Sequence, residues 1–396
     1  MFPAVQPILA DETVPVTTPA ASLVFATVLS HGPLTRTEIA RRTELSAAAV
    51  TKAVRPLMEV GYLVEDLNDG VRASAALGRP ANHVRVNEGK ALFIGIKVTG
   101  DEIIAVLTDL CCRVRVARHV PVTDHELTAV LPAITALTQE LLAEADGFGV
   151  RVRGLGLAVS GDVDRAEGMV RYSPFLEWRD VPLAEMVATA TGLPVTVEND
   201  VRALTVAEQW FGAGVGVSDF ALVTVGAGIG CGLVVHGRVV SGAHGVAGEI
   251  GHLPIDPLGP VCHCGNNGCV EAIAADPAIV RDVRAVTGKP VASAAEALAL
   301  ALDGEPGVRE VYARAGAAIG KAIGAVVNLF GPGRVIISGE GLAAYDLFAE
   351  GIRDAFATAA FGTAGQCDVM TCPLSFEEWA RGAAATAIQS FIESAT

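Results

Sequence analysis

Between Glu249 and Glu271 the chain reads EIGHLPIDPLGPVCHCGNNGCVE, and no other stretch limits its folding so tightly. Cys262, Cys264 and Cys269 fall within eight residues, with His263 inside the run and His252 ten residues ahead of it. Three thiolates and one imidazole suit a tetrahedral Zn²⁺ better than a disulfide framework. With all four positions filled by protein, none is left for an activated water, so the expected metal is structural. Gly265 and Gly268 allow the turns that wrap the chain around an ion. On the residues alone, either His252 or His263 can supply the imidazole. Such a loop draws Glu249 and Glu271 toward His252. Two carboxylates beside an imidazole make a cradle for the vicinal hydroxyls of a sugar. The other five cysteines read as ordinary core thiols.

The remaining composition is that of a folded chain. At 396 residues it is long enough for two or three domains, and at 51% hydrophobic and 18% charged it is far from disordered. The net charge of -15 is unevenly spread. Residues 20–90 hold nine Lys/Arg against seven Asp/Glu, whereas residues 91–396 hold 20 against 35. The bulk of the protein repels nucleic acid and its N-terminal part does not. No basic segment followed by an apolar run and a cleavage site opens the chain. Its apolar stretches read as broken by charge or Gly before membrane-spanning length. A cytoplasmic protein with no membrane partner is therefore expected.

Residues 1–19, with many Pro and Thr and no periodicity, read as a flexible arm. Residues 21–30 read as a buried helix that Gly32-Pro33 ends. Two short helices follow. Thr35 and Glu38 have the spacing of a capping box, and Ser46 can cap the second helix. Val50, Val54 and Leu57 form one buried face, with Ile39 and Leu45 completing the core. Ser46, Ala47, Ala48, Thr51, Lys52 and Arg55 lie on the other face. Small residues at its front let a helix press into a major groove, where Lys52 and Arg55 reach phosphates or base edges. Beyond Gly61, two strands and the Gly78-Arg79-Pro80 turn read as a wing, with Arg79 placed to enter a minor groove. Residues 20–88 are thus expected to form a winged helix-turn-helix domain. A module that docks protein instead of DNA is the alternative.

The body alternates strands and helices, which implies layered α/β architecture. Residues 91–109 and 220–240 read as hairpins, 123–147 as an amphipathic helix, 152–164 as a buried strand ending in Gly161, 194–200 as a strand ending in three polar residues, and 334–341 as a strand followed by a Gly-rich turn. Asn199-Asp200 ends a buried strand, where such sheets place ligands. Asp200 can accept a proton from a hydroxyl or simply hold one. A helix N-cap is the competing explanation of this pair.

At this point the sequence resembles the ROK family of bacterial sugar kinases and sugar-responsive repressors. Gly-Glu-Ile-Gly-His, followed by Cys-His-Cys-Gly-Asn-Asn-Gly-Cys-Val-Glu, carries the resemblance, which spans roughly residues 20–390. It implies a two-lobed actin-like/hexokinase-like ATPase fold of class α/β, behind the N-terminal winged helix that the repressors have and the kinases usually lack. Lobe one is then 91–200. Lobe two is 201–396, with the zinc loop 249–271 and a C-terminal helix returning to lobe one. The resemblance assigns sugar contacts to Asn199, Asp200, Glu249, His252 and Glu271. It assigns zinc to His252, Cys262, Cys264 and Cys269, choosing His252 over His263, and it makes Asp200 the counterpart of the kinases' catalytic base.

Departures from the kinase pattern redirect the reading. Family kinases open with Asp-x-Gly-Gly-Thr, which serves the ATP phosphates and Mg²⁺. Here the stretch is Lys97-Val98-Thr99-Gly100-Asp101. A second phosphate loop, Gly-Thr-Gly, is here Gly226-Ala227-Gly228. Phosphoryl transfer depends on positioning and neutralising phosphates, and both loops are damaged. Lys97 itself could still pair with a phosphate. Family kinases also have Ser-Pro-Asn-Leu where this chain has Ser173-Pro174-Phe175-Leu176, exchanging a hydrogen-bonding group for an aromatic surface. The expected protein is a sugar-responsive transcriptional regulator, most simply a repressor, that acts as a homodimer or dimer of dimers on operator DNA, with Asp200 only a vestigial base. A sugar kinase carrying a DNA-binding head and a regulator controlled by a partner protein are the alternatives.

Overall fold

The computed structural model describes residues 18–66 and 82–393. It begins with α1 (Pro19–His31), β1 (Leu34–Thr35), α2 (Arg36–Thr43), α3 (Ala47–Glu59), β2 (Leu63–Glu65) and β3 (His83–Val86). The three strands pair antiparallel in the order β1-β3-β2. Local chemistry sets the helix starts. Glu38 N donates to Thr35 Oγ1 at 3.2 Å and Thr35 N donates to Glu38 Oε2 at 2.7 Å, the reciprocal capping box. Ser46 Oγ accepts from Ala49 N at 3.2 Å to start α3. Glu44, in the left-handed region at φ 57°, turns the chain between α2 and α3. Arg79 lies outside the described residues.

The first lobe contains β4 (Leu92–Val98), β5 (Glu102–Asp109), β6 (Val114–Pro121), α4 (Leu127–Phe148), β7 (Val152–Val159), β8 (Asp162–Asp164), β9 (Met169–Ser173), β10 (Trp178–Val181), α5 (Leu183–Thr191) and β11 (Val195–Asn199); α6 (Asp200–Phe211) begins at the expected boundary of 200/201 and packs against both β11 and β13. The second contains β12 (Phe220–Val225), β13 (Ile229–Val235), β14 (Arg238–Val239), α7 (Val270–Ala274), α8 (Asp276–Thr287), α9 (Ala294–Leu302), α10 (Val308–Phe330), β15 (Arg334–Ser338), α11 (Tyr345–Ala359) and β16 (Asp368–Thr371). A last helix, α12 (Phe376–Glu393), follows.

The two main sheets run β11-β7-β4-β5-β6 and β14-β13-β12-β15-β16. Each is a three-stranded antiparallel meander extended by two parallel strands, so one pattern is built twice. The inner strands β4, β7, β12 and β15 are largely buried and accordingly mostly apolar.

α12 lies across the first sheet. Gly95 on β4 and Gly156 on β7 make this possible. A Cβ on Gly95 would stand 2.0 Å from the Ala380 carbonyl oxygen, and one on Gly156 would stand 1.8 Å from that of Ala383. The apolar core of the N-terminal helices is continuous with α6 and α12. Val24, Phe25, Val54 and Leu57 share one cluster with Phe93, Val206, Ala207, Trp210, Ile388 and Phe391. Rings step through it from Phe25 to Tyr62 (5.9 Å), Tyr62 to Phe391 (5.8 Å) and Phe391 to Phe93 (5.4 Å). Such pairs contribute about 0.5–1.5 kcal/mol each beyond their buried area. Ser22 Oγ also donates to the Ile392 carbonyl at 3.0 Å.

One reading of the apolar stretches needs correction. Among the described residues, α10 is long and apolar enough to cross a membrane. Its buried side, including Val311, Ile319, Ile323 and Val327, packs in the second lobe's core with Phe348 and Ile352 of α11.

Candidate ligand site and metal loop

The Cys/His stretch folds as a tight excursion between β14 and α7. Isolated bridges Pro254–Cys269 and Val261–Asn267 close it. His252 Nδ1 stands 3.6 Å from Cys262 Sγ, and Cys264 Sγ stands 3.7 Å from Cys269 Sγ. Donor atoms of His252, Cys262 and Cys264 all lie within 4.8 Å of one another. Thiolates about 2.3 Å from a tetrahedral Zn²⁺ stand roughly 3.7 Å apart, so this donor set fits such an ion. Burial pushes the Cys269 thiol up to about 12, with the neighbouring cysteines adding to the rise. A bound cation would reverse that cost. His263 turns elsewhere: its Nδ1 stands 3.1 Å from Glu271 Oε1, and its ring meets that of His252 edge-on at 4.8 Å.

The strand-end residues converge next to this loop. Asp200 opens α6, and Asn199 is its N-cap, with Oδ1 accepting from Val201 N and Arg202 N at 3.1 Å each. Asn199 Nδ2 donates to the Gly161 carbonyl at 3.0 Å. The cap explanation of this residue therefore holds, and one amide N–H remains for a ligand. Glu271 Oε2 accepts from Ile229 N at 3.1 Å, beneath the Gly226–Gly228 turn. Glu249 is exposed; its backbone carbonyl accepts from His252 N at 3.1 Å, which leaves its carboxyl as the group open to a ligand. Desolvation by the surrounding protein pushes that carboxyl up. The Arg202 charge opposes this, and Asp200, Glu271 and Asp162 reinforce it. Arg202 is fixed by Glu198 Oε1 at 2.7 Å and Val163 O at 3.1 Å. Phe175, 48% exposed, adds an aromatic surface. Its neighbour Trp178 is buried, donating Nε1–H to the His125 carbonyl at 2.7 Å.

Two residues stand where the resemblance places a nucleotide's charges. Lys97, only 4% exposed, does not face outward to a phosphate. Its ammonium donates to Asp200 Oδ2 and, at 2.9 Å, to Ser160 Oγ. At the second phosphate loop, Ala227 N donates to Glu340 Oε1 at 3.1 Å. The carboxylate of Glu340 sits against Gly226, where a Cβ would meet it at 2.3 Å. Burial, with Glu340 nearby, pushes the carboxyl of Asp276 up to about 6. Sequence reasoning missed Ser160 and Glu340. It had singled out Lys97 without its partner.

On α3, Ser46, Ala47, Ala48, Thr51, Lys52 and Arg55 are all exposed. Arg55 is not free, because its Nε donates to Glu59 Oε1 at 2.7 Å one turn on. Thr51 Oγ1 donates back to the Ala47 carbonyl at 2.9 Å.

Two kinase-like lobes, a Cys/His loop beside their cleft and a helical head define the class of protein. The model of the ROK family matches residues 93–390, and the chain belongs to that family. It is 30% identical over 338 residues to the N-acetylglucosamine repressor of Escherichia coli O6:H1, covering 81% of this chain and 80% of that one. A glucokinase of Thermotoga maritima is 36% identical over 220 residues, covering 52% of this chain and 69% of the kinase. Among solved structures, a ROK family transcriptional regulator, homologue of the E. coli MLC protein, aligns with a TM-score of 0.81 at 27% identity. It covers 96% of this chain and 97% of its own.

Proposed function

We propose that this protein is a sugar-responsive, DNA-binding transcriptional regulator, acting as a repressor, whose kinase-like body binds an effector and does not transfer phosphate. One observation carries this reading. α6 starts at Asn199 and Asp200 in the ligand site, and its far end buries Val206, Ala207 and Trp210 in the same core as α1 and α3. A ligand that favours one arrangement of the lobes therefore acts on a helix that packs directly against the head. A ligand shifts such an equilibrium only through unequal affinity for the two states.

The head is a winged helix-turn-helix whose α3 enters the major groove with the face from Ser46 to Arg55. Arg79 is the wing's contact. Two heads of a homodimer, or of a dimer of dimers, fit a pseudo-palindromic operator. The effector is a neutral sugar held by Asp200, Glu249, His252 and Glu271, with the spare N–H of Asn199. Zn²⁺ on His252, Cys262, Cys264 and Cys269 is structural: it fixes where Glu249 and Glu271 stand. Two features support the absence of kinase activity: Lys97 stands where the resemblance places the kinases' Asp, and Glu340 sits on the second phosphate loop.

Selection of genomic fragments by the purified protein, sequenced with and without a panel of monosaccharides, tests this. Fragments held without sugar and released by one sugar are expected. Sugar-dependent ATP turnover would overturn the reading. Within the head, K52A is expected to weaken operator binding about tenfold and R55A less, since Glu59 already neutralises Arg55. Equal losses, measured by fluorescence anisotropy, would contradict that ranking.

A further inference from the structure

The buried ammonium of Lys97 has a role that the loss of a kinase motif does not by itself require. We propose that Lys97 is the positioning residue of the sugar site: a resident cation that holds Asp200 as a fixed hydrogen-bond acceptor, so that the pocket takes a neutral hydroxylated ligand without metal or nucleotide. This rests on the effector-site reading above and deepens it.

The argument is a count of partners. An ammonium has three N–H donors and no acceptor. Lys97 gives one to Asp200 Oδ2 and one to Ser160 Oγ. Its Nζ also lies 5.6 Å from the centre of the Trp379 ring on α12. The third N–H makes no hydrogen bond among the described residues, but with Lys97 only 4% exposed the ammonium is held inside the protein and not offered to an outside phosphate. Asp200 is counted in the same way. Oδ2 accepts from Lys97 and from Ser160 Oγ (2.6 Å), and Oδ1 accepts from Val201 N (2.9 Å). A carboxylate has about four lone-pair sites, so one direction on Oδ1 stays open, enough for one hydroxyl. Sheet topology builds the pair. β4, β7 and β11 are adjacent, which brings the end of β4, the turn after β7 and the residue after β11 together.

Burial alone pushes the Asp200 carboxyl up. The Lys97 charge and the bonds from Lys97, Ser160 and Val201 outweigh it and hold the group below the usual carboxylate range. Other charges in this corner are Arg202 on α6, Glu249 and Glu271 beside the Cys/His loop, and Asp162 after β7. The acids among them disfavour a second negative charge, so Lys97 is the cation that keeps Asp200 ionised. An aspartate held this way by an adjacent ammonium is a poor base and a good acceptor.

Thermal unfolding of the full-length protein from pH 5 to pH 8 tests the clamp without any ligand. In K97M, Asp200 is buried without its cation, and its folded-state value rises above the unfolded one. Stability is then lost as pH rises through that raised value. The Tm deficit of K97M relative to wild type should widen from pH 5 to pH 8, and K97M/D200N should show a smaller deficit that does not vary with pH. If Lys97 only fills space, the K97M deficit is the same at every pH and D200N does not relieve it, which would overturn the proposal.

Calorimetric titration with N-acetyl-D-glucosamine, D-glucose and D-xylose supplies the second arm. Wild type should bind one of them with an affinity flat from pH 5 to pH 8. K97M should bind it at least tenfold more weakly at pH 6 and recover as pH rises. Equal binding by K97M at every pH would remove Lys97 from the effector site. Failure of wild type to bind any of the three, with the Tm result as expected, would count against the sugar reading and leave the clamp standing.

Discussion

The two flanks of Asp200 are built to opposite ends. Toward the Cys/His loop, Glu249 is exposed, and its carboxyl makes no hydrogen bond among the described residues. Toward the two loops that would hold ATP, two groups are engaged from within. Lys97 is bonded to Asp200 and Ser160, and the Ala227 N–H is bonded to Glu340. One flank retains polar groups for a ligand, and the other closes on the protein's own charges. On the proposed reading, the difference teaches how a catalytic fold can become a sensor: one subsite is filled from within while its neighbour stays available.

Disturbing the open flank through the proposed zinc loop should have the largest effect. C269S is expected to lower bound metal from about one ion per chain to none and to cost on the order of 5 kcal/mol, because metal affinity is folding free energy for the loop. Metal analysis and denaturant unfolding check this, and unchanged metal content would remove Cys269 from the donor set. On the closed flank, D200N strands a buried ammonium and should cost about 3–5 kcal/mol in urea unfolding. A cost below about 1 kcal/mol would mean that the pair is not the buried link described here.

Asp276 gives a smaller, pH-dependent effect. Its folded value of about 6 exceeds its unfolded value near ~3.9, so its contribution is fully present below pH 4 and is lost as pH rises through 6. D276N should therefore be more stable than wild type at pH 8, by about 1–3 kcal/mol, with the gap closing by pH 4. A gap that does not change with pH would contradict this. E340A should change stability least, by about 1 kcal/mol or less, since it removes one hydrogen bond at a partly exposed group. It should also shrink the D276N effect, because Glu340 raises Asp276. A double-mutant cycle checks the coupling.

What the sequence made legible was local. The Thr35–Glu38 box, the Ser46 cap and the α3 face follow from spacings of three and four residues, and the Cys/His cluster from eight. The Asn199-Asp200 pair was legible as a strand end, but its division of labour was not: one residue caps α6 and the other meets Lys97. That meeting joins residues 103 apart in sequence, and the Ala227–Glu340 bond joins residues 113 apart. Sheet order creates both contacts. The motif comparison flagged Lys97 because an expected Asp was missing, but no local pattern named its partner, and Glu340 read only as part of a Gly-rich turn. The spacing left His252 and His263 interchangeable. The fold keeps them side by side but gives them different partners, His252 Nδ1 beside Cys262 Sγ and His263 Nδ1 beside Glu271 Oε1.

The central claim is that a ligand beside Asp200 controls the head at the other end of α6. Its most direct test is the affinity of the full-length protein for its selected operator, measured by anisotropy while the releasing sugar is titrated, in wild type and in E249A. We predict that the sugar raises the wild-type Kd at least tenfold and leaves that of E249A nearly unchanged, with sugar-free affinity the same in both. Operator binding that no sugar alters in wild type, or an equal response in E249A, would contradict the account.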